Sequence, residues 1–112
     1  MFIAMNRFRI AKGKEADFEQ VWLTRESRLS DVPGFKNFVL LKGPELDDHV
    51  LYASHTEWAD RAAFDAWTKS EAFKLAHRGA GGTRDMYLGH PQFEGFEAVP
   101  GSAEQVDEDN AA

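Results

Sequence analysis

The chain has no cysteine. Disulfides, thiolate nucleophiles, cysteine-ligated zinc and iron–sulfur clusters are excluded together. Basic residues are few, 13 lysines and arginines against 19 aspartates and glutamates, for a formal charge of −6. That balance does not suit a nucleic-acid partner held through its phosphates. No apolar run is long enough to cross a bilayer, so no membrane partner is expected. The opening MFIAMNRFRIAKGK alternates apolar and polar residues instead of carrying a continuous apolar segment before a cleavage site. No signal peptide is expected there, and a cytoplasmic location follows.

What is present is one domain's worth of chain, 112 residues of which 43% are hydrophobic and 12% aromatic. Nine phenylalanines, three tryptophans and two tyrosines are many for this length. They imply an aromatic-rich interior, or rings that line a pocket or a subunit interface. After Val99 the sequence PGSAEQVDEDNAA holds no aromatic and no basic residue but four acidic ones, Glu104, Asp107, Glu108 and Asp109. Residues 100–112 read as a solvated acidic tail, and residues 1–99 as the domain.

Residues 2–10 alternate like a strand, with Phe2, Ala4, Asn6, Phe8 and Ile10 on one face and Ile3, Met5, Arg7 and Arg9 on the other. Phe18, Val21, Trp22 and Leu29 recur at helical spacing, predicting an amphipathic helix over about 14–30 that ends at Asp31–Val32–Pro33–Gly34. Strands are expected over 35–41 and 50–58, with a hairpin turn at Gly43–Pro44 and the acidic Glu45, Asp47 and Asp48 between them. Residues 59–67 and 71–77 read as two short helices, the second capped by Ser70. Glycines 79, 81 and 82 open a loop to about Asp85, and 86–99 gives a last strand or pair of strands broken near Gly89–His90–Pro91. The order β-α-β-β-α-β is a ferredoxin-like α+β plan with helices on one face of an antiparallel sheet. The other face needs a cover, and a second copy of the chain, giving a homodimer, is the economical one.

Motifs with a built-in mechanism are missing: no phosphate loop, dinucleotide fingerprint, HExxH or serine elbow occurs. The four histidines, 49, 55, 77 and 90, include no pair at metal-ligand spacing. Three single residues stand in unusual places. Asn6 shares an otherwise apolar strand face, where its amide must find partners in the backbone or in a ligand. His77 follows Phe73 by one helical turn; it is either a dipole-stabilised helix-end residue or an imidazole with Nε2 free for a metal. Trp67 ends one helix just before the break at Lys69–Ser70, ten residues ahead of His77, either as core packing or as the wall of a cavity that both residues face.

Taken together, Met5–Asn6–Arg7–Phe8, Pro33–Gly34–Phe35 and the run from Trp67 through Ser70, Phe73, Lys74 and Ala76 to His77 resemble the IsdG-type haem-degrading monooxygenases. These belong to the antibiotic-biosynthesis-monooxygenase superfamily of dimeric α+β barrels, and the match spans roughly residues 2–99. The resemblance implies that Asn6, Trp67 and His77 form the functional triad. His77 would be the axial ligand of haem iron, Asn6 would hydrogen-bond activated oxygen from the opposite side, and Trp67 would press on the macrocycle. Haem would be both cofactor and substrate, opened by O2 with electrons from an external reductase to release iron and a biliverdin-like product. Phe8, Trp22 and Phe73 are candidate pocket walls, and Arg7 and Arg78 candidate partners for the haem carboxylates. The loop after His77 is short and glycine-rich, a departure that bears on product and loop behaviour. Two other activities suit the same sequence: a cofactor-independent quinol-type monooxygenase of that superfamily, and a non-catalytic haem carrier.

Overall fold

Strict alternation over the first residues gives a nine-residue strand, β1 (Phe2–Ile10), in which Phe2, Ala4, Phe8 and Ile10 are buried on one face. The computed structural model describes residues 1–25, 27–76 and 85–104, apart from the side chains of Ala72, Leu75 and Ala76. His77, Arg78, the glycine loop as far as Arg84 and the tail from Gln105 onward lie outside the described residues. Three further strands, β2 (Phe35–Glu45), β3 (Val50–Trp58) and β4 (Gln92–Glu97), complete a sheet in the order β2-β3-β1-β4 with every pairing antiparallel. Helices α1 (Glu15–Thr24), α2 (Arg61–Thr68) and α3 (Glu71–Ala76) complete the expected ferredoxin-like α+β plan, its second helix divided in two. Among the described residues no helix is long and apolar enough to cross a membrane.

Two boundaries differ from the sequence expectation. Helix α1 stops at Thr24 instead of running to residue 30, because Arg25 turns to an extended conformation. Positions 25 and 26, where the apolar stripe should recur after Phe18 and Trp22, hold Arg and Glu, so nothing apolar fastens a further turn to the sheet. Leu29 is still buried, by a separate 3-10 turn (Leu29–Asp31). Strand β2 likewise runs through Gly43–Pro44 to Glu45, with a register shift between Lys42 and Glu45, and the hairpin turn falls at 46–49. Proline is tolerated there because β2 is an edge strand.

The core is two aromatic clusters on the helix-bearing face. Phe8, Ile10, Phe18, Val50 and Tyr52 form one; Phe2, Ala4, Leu29 and Trp58 form the other. Trp58, Tyr52, Phe2, Phe18 and Ile10 are fully buried, each contributing about 1.5–3 kcal/mol by leaving water. Asp60 caps α2, accepting from the Ala63 amide at 2.8 Å, and the Ser70 hydroxyl caps α3, accepting from the Phe73 amide at 3.2 Å. Gly34, at φ +84°, sits so close to α2 that a Cβ there would lie 2.4 Å from the Ala63 methyl. The Pro33–Gly34 turn is thus what lets α2 close down on the sheet.

Tyr52 donates its phenol hydrogen to Glu19, tying α1 to β3, and Lys42 lies 3.6 Å from the same carboxylate. Burial of the ring raises the phenol's pKa, and Glu19 raises it further by opposing a second negative charge. The stability that this shift brings is whole below about pH 10 and is lost as the pH rises further, because the unfolded chain gives up its proton first. Tyr52→Phe is expected to lower unfolding free energy by about 1 kcal/mol at pH 7 and to flatten the decline above about pH 10. Urea unfolding at the two pH values measures both effects.

Candidate functional site

Side-chain size along the two central strands creates the site. On the helix-bearing face β3 presents Val50 and Tyr52, then Ser54 and Thr56, then Trp58; beside it β1 presents Ile10 and Phe8, then Asn6 and Ala4, then Phe2. Bulky residues at both ends build the two clusters, and the middle is small and polar. Asn6 lies directly opposite Ser54 on one side and Phe93 of β4 on the other. Ser54 is 4% exposed and Thr56 9%, yet neither hydroxyl nor the Asn6 carboxamide makes a side-chain hydrogen bond among the described residues. A polar group left so and cut off from water would cost about 1–3 kcal/mol, but none of these three contributes a fully enclosed atom, so the strip is open to a hydrogen-bonding visitor.

Aromatic rings wall the strip. Toward β2, Trp22 stacks on Phe38 with centroids 5.6 Å apart and planes 12° from parallel, and Trp22 also meets the Phe8 ring edge-on at 5.5 Å. The Arg25 guanidinium covers that stack, 4.5 Å from the Trp22 ring and 4.9 Å from Phe38. It has no carboxylate partner among the described residues, and burial lowers its pKa from the ordinary value. On the other side Trp67 packs on Trp58 at 5.3 Å and meets Phe73 in a T-shaped contact at 4.9 Å. Toward the β4 edge Phe93 stacks on Phe64 at 5.5 Å and 4° while remaining 51% exposed. Gly95 makes room for this arrangement, since a Cβ there would lie 2.8 Å from the Phe2 ring.

Of the residues predicted from sequence, Asn6 is at the centre of the strip, Phe8 and Trp22 belong to one wall, and Trp67 and Phe73 to the other. His77 and Arg78 fall outside the described residues. Arg7 is on the opposite face of the sheet, where its Nε donates to Glu94 at 2.5 Å; it does not serve this site. Sequence reading missed Ser54, Phe38, Phe93 and Arg25. Ser54 had a legible signal, because it shares its strand parity with Tyr52 and Trp58. Phe38 had none, because a bulge between Phe35 and Asn37 shifts the alternation of β2.

Residues 1–79 match the family model described as antibiotic biosynthesis monooxygenase. The chain belongs to that family. It is 31% identical over 77 residues to the staphylobilin-producing heme oxygenase 1 of Staphylococcus aureus, covering 69% of this chain and 71% of the relative. Two solved structures share its fold. The heme-degrader MhuD of Mycobacterium tuberculosis, with two hemes in its active site, is 24% identical with a TM-score of 0.69, covering 92% of this chain and 100% of that one. SnoaB, a cofactor-independent oxygenase of Streptomyces nogalater, is 25% identical with a TM-score of 0.64, covering 92% and 97%. Family members thus span chemistry with and without haem.

If Asn6 is kept for a ligand and not for folding, an apolar replacement will strengthen the fold. Asn6→Val is expected to raise unfolding free energy by about 0.5–1 kcal/mol in the ligand-free protein. Urea unfolding reads the change, and a loss of more than that amount would assign Asn6 a structural role instead.

Proposed function

We propose that this chain is a haem-degrading monooxygenase, opening the porphyrin with O2 and electrons from an external reductase to release iron and a bilin-like product. One observation carries the reading: a carboxamide without a side-chain partner among the described residues, Asn6, at the centre of an aromatic-walled strip, in a chain 31% identical to a heme oxygenase. Haem is flat, apolar over its faces and carries two carboxylates at one edge. The residues fit it: the rings of Trp22, Phe38, Trp67 and Phe93 offer apolar contact, and Arg25 is a half-buried cation in want of an anion.

Bound haem supplies both the iron that activates O2 and the ring that is oxidised. This chain's residues supply position and polarity. By its place in the Trp67–His77 run, His77 is the residue that would hold the iron through an imidazole nitrogen. The Asn6 amide would offer a hydrogen bond to an anionic oxygen on its side of the site. Trp67, held by Trp58 and Phe73, supplies a rigid surface against the macrocycle. Arg25, and not Arg7, would pair with a carboxylate of the haem.

The test is titration of purified protein with haemin, then reduction under air with catalase present and analysis of the pigment. The expected outcome is a Soret band followed by its decay to a ring-opened product. Arg25→Ala should weaken haem binding about tenfold. Asn6→Ala should bind within about threefold of the parent yet turn over about a hundredfold more slowly. Oxidation of a quinol by the haem-free protein would instead favour the chemistry of SnoaB, to which this chain is 25% identical. A Soret band that persists under reductant would favour a haem carrier.

The same reading includes a homodimer. The sheet face without helices presents Ile3, Met5, Val39, Leu41, Leu51, Ala53 and Phe96, of which Val39, Leu41 and Phe96 are exposed. Among them the buried Nδ1 of His55 has no partner among the described residues. A second copy would cover these side chains and offer His55 an acceptor or donor. Leu41→Glu, at an exposed position, should move the sedimentation equilibrium from dimer to folded monomer, whereas an unchanged mass would remove this face from the interface.

A further inference from the structure

The proposed reaction uses the Asn6 amide but leaves its cross-strand neighbour unexplained. Ser54 is directly opposite Asn6 in the β1–β3 register, which sets the two Cβ atoms about 4.5–5.5 Å apart on one face. At that separation a serine hydroxyl and an asparagine amide reach a common atom between and above them. Thr56, one step along and opposite Ala4, is diagonal to Asn6 at about 7–8 Å and does not.

Three observations bear on what Ser54 does. First, the residue is 4% exposed at the meeting point of two hydrophobic clusters, where alanine or valine would bury more favourably. Second, its hydroxyl makes no hydrogen bond to the described protein, although a buried hydroxyl usually finds one. Third, fully enclosed polar atoms without a partner include the ring nitrogens of Trp22, Trp58 and His55, but neither Asn6 nor Ser54 contributes one. Both groups therefore keep access to the strip. Two adjacent donors with no acceptor among the described residues, set among apolar walls, form a cradle for one electron-rich atom.

We propose that Ser54 is the second hydrogen-bond donor of the oxygen-facing pole: its O–H and the Asn6 N–H converge on the same anionic atom of the bound reactant. This rests on the haem-degrading reading given above. A hydroxyl is the shortest rotatable donor, so it can follow a small anion as charge builds on it, while the amide is held by its longer, planar side chain. The pair holds such an anion more firmly than either group alone. Ser54 takes no part in gripping the macrocycle, whose contacts are the aromatic walls and Arg25.

The experiment measures azide binding to the ferric haem-loaded protein by the shift of its Soret band, in the parent, Ser54→Ala, Ser54→Thr and Asn6→Ala. Haem affinity and urea midpoint are measured on each. Ser54→Ala is expected to bind haem within about twofold of the parent and to raise the azide dissociation constant about tenfold, the effect of losing one hydrogen bond to a charged group. Ser54→Thr, which keeps the hydroxyl, should stay within about threefold. Asn6 and Ser54 should also couple: in Asn6→Ala, the further change Ser54→Ala should cost less than it does in the parent. Azide binding unchanged in Ser54→Ala, with haem affinity intact, would overturn the role of Ser54 and leave the haem-degrading reading standing. Failure of the parent to take up haem would overturn both. Equal loss of azide affinity in the alanine and threonine variants would make Ser54 a packing residue and overturn the proposal.

Discussion

A carboxamide cannot lie against a hydrophobic sheet face without hydrogen bonds unless something else is to supply them. That constraint organises this molecule. Asn6 stands in the middle of β1, between residues that build two separate aromatic clusters, and beside it β3 carries Ser54 and Thr56 where larger apolar residues would close the core. The clusters do not merge across this strip, because its side chains are too small to fill the space and too polar to be buried cheaply. A single continuous core would be more stable and would have no place for a ligand. Folding free energy forgone at such a strip is what is expected where function and stability compete.

The same division explains the arrangement around the strip. Trp22 reaches across from α1 to Phe38 on the edge strand, and Arg25 leaves the helix to lie over both rings. On the far side Trp67 is held by Trp58 and Phe73, so that its indole is a fixed surface. One wall thus ends in a cation and the other in a rigid ring, a polarity that suits a flat reactant with anionic substituents at one edge. The opposite face of the sheet is free of helices and carries Val39, Leu41 and Phe96 exposed, the face that the proposed homodimer would cover. The proteins this chain is similar to include a heme oxygenase and a cofactor-independent oxygenase, so the fold alone does not fix the chemistry.

Much of this was legible in the residues themselves. Alternation alone located β1 and β3 and put Asn6 on the buried face, since a period of two leaves no ambiguity where one face is apolar. The break between α2 and α3 followed from Ser70, whose hydroxyl does cap the second helix. What was not legible depended on contacts between elements. Arg25, just past the end of helix α1, lies over a stack of two rings, one of them from a strand distant in sequence. Phe38 faces that stack only because a bulge resets its strand, and Arg7, offered as a carboxylate partner although alternation puts it on the face opposite Asn6, pairs with Glu94 there. Asn6, Trp67 and His77 were singled out as a pattern of three residues; the structure describes the surroundings of Asn6 and Trp67, and their functional role stays a proposal.

The most direct test is a crystal structure of the protein grown with haemin. The account predicts the macrocycle over Asn6 and Ser54, between the Trp22–Phe38 stack and Trp67, with the His77 nitrogen on the iron and a carboxylate at Arg25. A macrocycle bound elsewhere, or one over the strip with His77 far from the metal, would contradict it.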